Sequence, residues 1–83
     1  MSQSAVTVRV VFMGPVLRPR NQGREVELTL GVGTTTDDLL NELGYHPTHA
    51  KHVGIYREGV RLPRAAELND GEELTIAVAM GGG

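Results

Sequence analysis

Thr34-Thr35-Thr36-Asp37-Asp38-Leu39-Leu40-Asn41-Glu42-Leu43-Gly44 is the stretch in which the residue pattern changes period. Leu39 and Leu43 stand four apart and Leu40 widens the stripe, which is the apolar face of a helix. A threonine cap followed by Asp37 and Asp38 suits a helix N-terminus, because the carboxylates face its positive end. Gly44 supplies a left-handed stop. The spacing predicts a short helix of about two to three turns.

Before it the period is two. From Ala5 to Met13, Val6, Val8, Val10 and Phe12 share one face, and Thr7, Arg9 and Val11 the other. From Arg24 to Leu30, Val26, Leu28 and Leu30 alternate with Glu25, Glu27 and Thr29, as in an antiparallel strand wet on one side. Between the two, Gly14 to Gly23 reads as a long loop, with Pro15, Pro19 and Asn21 among its markers.

After the helix, Tyr45 to Lys51 reads as a connector in which Pro47 interrupts any helix. His52 to Arg57 predicts a third strand with Val53 and Ile55 inward. Glu58-Gly59 turns the chain into Val60-Arg61-Leu62, a short fourth strand ended by Pro63. Leu68 anchors the chain before the turn Asn69-Asp70-Gly71. Glu73 to Met80 predicts a closing strand with Leu74, Ile76 and Val78 on one face. The order predicts an α+β domain: a mixed sheet of four to five strands with one helix packed across one face. The crossover preference favours a parallel pairing of the first and last strands.

Composition narrows the function. The chain has 83 residues, enough for one domain and one small core. It has no cysteine, which excludes disulfides, thiolate metal sites and a cysteine nucleophile. Aromatics are 4% and tryptophan is absent, a poor endowment for stacking on bases. Eight basic and ten acidic side chains give a net charge of −2, with no basic excess for a phosphate backbone. No apolar run approaches the ~20 residues that span a bilayer. Met1-Ser2-Gln3-Ser4 has neither the charge nor the apolar core of a secretory signal. The expectation is a soluble cytoplasmic protein with no nucleic-acid or membrane partner. Of eleven glycines, three are Gly81-Gly82-Gly83.

This pattern resembles the β-grasp, ubiquitin-like fold, and more narrowly the MoaD/ThiS family of small sulfur carriers. Four stretches carry the resemblance: the valine-rich strand ending in Phe12 with Leu17-Arg18 and Gly23 after it; Thr35-x-x-Asp38-Leu39-Leu40-x-x-Leu43-Gly44; Leu68-Asn69-Asp70-Gly71-Glu72-Glu73-Leu74; and Gly81-Gly82-Gly83. The resemblance implies a β-grasp domain over residues 1–80 and a flexible glycine tail over residues 81–83. It implies an activating enzyme of the ubiquitin-activating type that adenylates the Gly83 carboxylate, a sulfur donor that converts it to a thiocarboxylate, and a synthase that accepts the sulfur. The sulfur is expected to serve cofactor biosynthesis of the molybdopterin or thiamine type, or a related pathway. ATP and magnesium belong to the activating enzyme, and no cofactor is bound by the chain itself. Two other readings stay open: a modifier joined to lysines through Gly83, and a β-grasp interaction domain with an inert tail.

The chemistry fits a glycine tail. Glycine loses more backbone entropy on ordering than any other residue, so three in a row are expected to remain mobile. Extended, they carry the Gly83 carboxylate up to roughly 10 Å past Met80. Without side chains, such a segment can thread a narrow channel into another protein. A carboxylate is a poor acyl donor, and a mixed anhydride with AMP is a good one.

Other residues carry weaker signals. Thr75, Ala77, Ala79 and Met80, beside Arg9 and Val11, are candidates for a smooth outer sheet face that a partner covers; an ordinary small-residue face is the competing reading. His46, His49 and His52 recur every third position, but no acid completes a metal-ligand set. Arg18, Arg20 and Arg24 suit an anion or an acidic partner, or a solvated loop. Glu67, Asp70, Glu72 and Glu73 predict an acidic partner-facing end. Lys51 is the only lysine, which argues against chains built on the protein itself.

Overall fold

A computed structural model of the chain describes residues 5–78. The elements run β1 (Ala5–Phe12), a 3₁₀ turn (Pro19–Asn21), β2 (Glu25–Gly31), α1 (Thr36–Leu43), α2 (Pro47–Ala50), β3 (Val53–Arg57), β4 (Val60–Arg61) and β5 (Glu73–Val78). The five strands form one mixed sheet in the order β2-β1-β5-β3-β4. β1 pairs antiparallel with β2 and parallel with β5; β5 pairs antiparallel with β3. The predicted parallel pairing of the first and last strands is present, and it puts β5 at the centre.

The alternation in β1 buries Val8, Val10 and Phe12 against Leu74 and Ile76 of β5 and Val53 and Ile55 of β3. Leu39, Leu40 and Leu43 of α1 close this core on one side of the sheet. Val26, Leu28 and Leu30 are only half-buried, because β2 is an edge strand with a neighbour on one side alone.

Both ends of α1 follow from the local sequence. Thr35 Oγ1 accepts from the Asp38 N–H at 3.2 Å, and the Asp38 carboxylate accepts from the Thr35 N–H at 3.1 Å, a reciprocal capping box. The Thr36 and Asp37 N–H groups donate to the carbonyls of Ala66 and Arg64 in the loop that wraps this end. At the other end Gly44 takes φ 101°, and its N–H bonds back to the last turn. A Cβ there would also lie 2.8 Å from Arg20 Nε and would displace that side chain.

One helix was expected, and a second is present. Pro47 does not interrupt helical structure; it opens the single turn of α2. Its fixed φ suits the first helical position, and the His46 Nδ1 caps the turn by accepting from the Thr48 N–H at 3.1 Å. No helix among the described residues is long and apolar enough to cross a membrane.

A half-buried ion pair fixes the entry to β5. Arg57 donates from Nε to Glu72 Oε2 at 2.6 Å and from Nη2 to Oε1 at 3.0 Å, while the Asn69 N–H donates to Oε1 at 2.8 Å. Burial pushes the Glu72 carboxyl up, but the hydrogen bonds from Arg57 and Asn69 outweigh it and hold the group below the ordinary carboxylate range. A lowered folded value means that the stabilisation is complete above about pH 4.5 and is lost as pH falls through the folded value. Glu72→Gln should cost about 1–2 kcal/mol at neutral pH. It should also flatten the acid limb of a urea-unfolding series taken against pH.

Candidate functional site: the open face and the end of the central strand

The sheet has one face covered by α1 and one face open. On the open face β1 presents Thr7, Arg9 and Val11, and β5 presents Glu73, Thr75 and Ala77, with Arg9 opposite Glu73 and Val11 opposite Thr75. The predicted docking residues Thr75, Ala77, Arg9 and Val11 are therefore brought together. Ala79 and Met80 lie outside the described residues, as do Gly81, Gly82 and Gly83. Arg9 is engaged within the face, with Nη1 3.5 Å from Glu73 Oε2, an exposed pair that contributes little to stability.

Gly54, Tyr56 and Arg61 complete the centre of this face and were not singled out from the sequence. Gly54 lies opposite Ala77 and Tyr56 opposite Thr75. A Cβ on Gly54 would stand 3.1 Å from Tyr56 Cε1 and 3.2 Å from Arg61 Nε. The Tyr56 ring and the Arg61 guanidinium thus fold down over the glycine. The missing Cβ lets two large side chains lie flat against the sheet, beside a strip of threonine and alanine on β5. The alternation of Gly54 and Tyr56 with inward Val53 and Ile55 carried the signal. Its use required knowing that β3 is the neighbour of β5.

The end of β5 differs from its beginning. Met13, Leu17 and Val78 are three of the five large apolar residues exposed among the described residues, and all three lie where β1 and β5 finish. There, Tyr45 and Val53 floor a groove of about 180 Å³ with Leu17 and Val78 as walls. The buried Tyr45 hydroxyl donates to the Leu17 carbonyl and ties the first loop to the end of α1. Burial pushes this phenol up to about 12. A raised folded value means that the stabilisation is complete below about pH 10 and is lost as pH rises through about 12. Tyr45→Phe leaves the Leu17 carbonyl without this donor and should cost about 1 kcal/mol. The difference between wild-type and variant tyrosinate absorbance curves should place the Tyr45 transition near 12.

The first loop has an additional role. Arg20 Nη1 donates to the Glu42 carbonyl at 3.2 Å, and Gln22 Nε2 donates to the Leu43 carbonyl at 3.0 Å. Arg20 is thus spent on the carbonyl end of α1, where a cation also meets the negative pole of the helix. The expected acidic partner-facing end is corrected. Glu67, Asp70, Glu72 and Glu73 all lie at or before the first residue of β5, because the chain enters the sheet there; Asp70 Oδ1 accepts from the Thr7 N–H at 2.7 Å. The strand then runs the length of the sheet, and the chain leaves at the opposite end.

A mixed sheet with a central parallel pair, one face crossed by a helix, and a last strand leaving from the middle defines the ubiquitin-like β-grasp class. Comparison with solved structures places the chain in that company. A protein assigned as molybdopterin converting factor subunit 1, from Pyrococcus furiosus, superposes with a TM-score of 0.71 at 22% identity, over 90% of this chain and 99% of that one. Small archaeal modifier protein 1 of Haloferax volcanii gives 0.68 at 17% identity, over 90% and 99%. A ubiquitin of Caldiarchaeum subterraneum gives 0.61 at 13%, over 96% and 100%. No protein-family model and no curated protein matches the sequence.

Proposed function

We propose that the protein is a small sulfur carrier. An activating enzyme of the ubiquitin-activating type transfers AMP from ATP to the Gly83 carboxylate and releases pyrophosphate. A sulfur donor then displaces AMP, leaving a thiocarboxylate that a synthase consumes in cofactor biosynthesis of the molybdopterin or thiamine type. The chain supplies the acyl group and a docking surface and performs no catalysis. The observation that carries this reading is the course of β5. It enters at an acidic turn and is held on both sides by β1 and β3. It runs toward Gly81-Gly82-Gly83 and presents Thr75 and Ala77 on the open face. The likeness in fold to a molybdopterin converting factor subunit supports the carrier reading. The likeness to a small archaeal modifier supports a second one, conjugation to lysines through Gly83.

The test is incubation with a cognate activating enzyme, ATP and a sulfur source, read by intact mass. The expected result is a gain equal to sulfur minus oxygen at the terminal residue. An unchanged mass, with adenylation by the same enzyme demonstrated, would count decisively against the carrier. A glycine remnant on lysines in host digests would instead establish the modifier. Ala77→Arg sets a charge in the middle of the open face. It should shift stability by no more than about 0.5 kcal/mol. Loading should slow at least tenfold, the equivalent of about 1.4 kcal/mol lost at a central contact.

A further inference from the structure

The two ends of the central strands carry opposite charge. Around the start of β5 stand Glu67, Asp70, Glu72 and Glu73. Around its finish run two segments, residues 13–24 and 45–53, that hold Arg18, Arg20, Arg24 and Lys51 and no Asp or Glu. Backbone bonds fix both segments at this end: the Phe12 N–H donates to the Arg24 carbonyl at 2.8 Å, the Met13 N–H to the Ile76 carbonyl at 2.8 Å, and Val53 is paired with Val78. Of the acids flanking these segments in sequence, Glu25 faces the open side of the sheet opposite Val11, and Glu42, in the last turn of α1 with its carbonyl bonded to Arg20, is one acid against the four cations. The parallel β1–β5 pair is what sorts the charges, since both strands start at the acidic turn and finish at the basic loop.

The apolar groove described above opens within this basic end, on the helix side of the sheet and away from the open face. Leu17 is 52% exposed and Val78 39%, and His49 and His52 form the remaining rim. At about 180 Å³ it is on the scale of a cavity that accepts one benzene ring, about 150 Å³. An apolar slot for one side chain, with Arg18 next to the wall residue Leu17 and Lys51 next to the rim residue His52 in the chain, is complementary to one kind of visitor.

We infer that this groove receives an acidic segment of a partner protein, with a single leucine or phenylalanine seated between Leu17 and Val78 and flanking carboxylates facing Arg18 and Lys51. It deepens the carrier reading by giving the partner a second contact that holds the base of the tail in register. The opposed charges would orient the molecule on approach, with the basic end toward an acidic surface. The inference rests on the reading that a partner receives the tail, but its test requires no activation.

The probe is a short synthetic peptide in which Glu and Asp flank a central Leu-Phe pair, titrated into the full-length chain and followed by amide chemical shifts. Saturable shifts are expected at Leu17, Tyr45, His49, Val53 and Val78. Binding should weaken severalfold as ionic strength rises from about 0.01 M to about 0.15 M, which shortens the Debye length from about 30 Å to about 8 Å. Leu17→Asp should abolish it, and Arg18→Glu with Lys51→Glu should weaken it at least tenfold while the thermal transition stays in place. The same peptide with Lys for every acid should not bind. Equal binding of the lysine peptide, absence of saturable shifts, or shifts confined to Thr75 and Ala77 would overturn the inference. So would concentration-dependent shifts at the groove without peptide, which would assign it to a second copy of the chain. Groove shifts produced by Met80→Asp alone would assign it to the chain's own tail and equally overturn it. Failure of sulfur loading with intact peptide binding would remove the carrier reading and leave the groove standing.

Discussion

A chain ending at Gly81 is expected to fold as the full chain does and to gain no sulfur. Among the described residues, Leu74 and Ile76 of β5 are already fully buried between β1 and β3, and the described hydrogen bonds end within β5. Removing Gly82 and Gly83 should therefore leave the thermal transition within about 2 °C. It shortens the reach of the carboxylate by up to about 7 Å, at 3.3–3.6 Å per residue. Placement errors of about 1 Å can cost a hundredfold at a reacting centre, so a deficit several times larger should abolish adenylation rather than slow it. Pyrophosphate release and intact mass, measured on both chains with one activating enzyme, decide the matter. Undiminished release from the shortened chain would show that a Gly81 terminus serves as well, and absence of release from both chains would favour an interaction domain with an inert tail. Addition of a residue after Gly83 should have the same effect for a different reason, since the glycine carboxylate is then an amide.

The second large effect is structural. Phe12→Ala should lower stability by about 3–5 kcal/mol, the range for emptying a buried phenylalanine site. Phe12 is the only phenylalanine, is 2% exposed, and stands opposite Ile76 at the centre of the sheet. Its backbone is pinned by the bond to the Arg24 carbonyl, so the strand cannot readily shift to fill the space. A domain of this length is expected to have roughly 4–12 kcal/mol in all, so the loss is a large fraction of it. At about 4–8 °C per kcal/mol the midpoint should fall by roughly 12–40 °C, measured by circular dichroism. Phe12→Leu, which keeps most of the volume, should fall far less. A small change in both variants would mean that this end of the core collapses around the gap.

The parts of the fold that are readable from sequence are those whose causes are local. Thr35, Asp38 and Gly44 each act within one turn of their own position, and the helix between them is where they place it. The alternation of β1, β2 and β5 likewise depends only on neighbours two apart. What failed depended on space. Pro47 carries the same signal whether it ends a helix or begins one, and the capping by His46 decides between them. The acids of residues 65–83 lie close to the glycines in sequence, but a strand separates the two in space. Tyr56 and Gly54 gain their meaning from lying beside Ala77, and no residue within β3 announces which strand will be its neighbour.

The placement of β5 also bears on how the protein is made. Of the described strands, the one that fills the middle of the sheet is synthesised last, and its partner β1 first. Until Glu73–Val78 is available, the β1–β2 hairpin and the β3–β4 hairpin have no ladder between them, and α1 has half a sheet to rest on. Pairing β1 with β5 is a contact of high sequence separation, of the kind that slows folding. Synthesis interrupted anywhere before β5 therefore yields a chain that lacks both the fold and the glycines. The glycines are thus reached only on a chain that can also form its central strand.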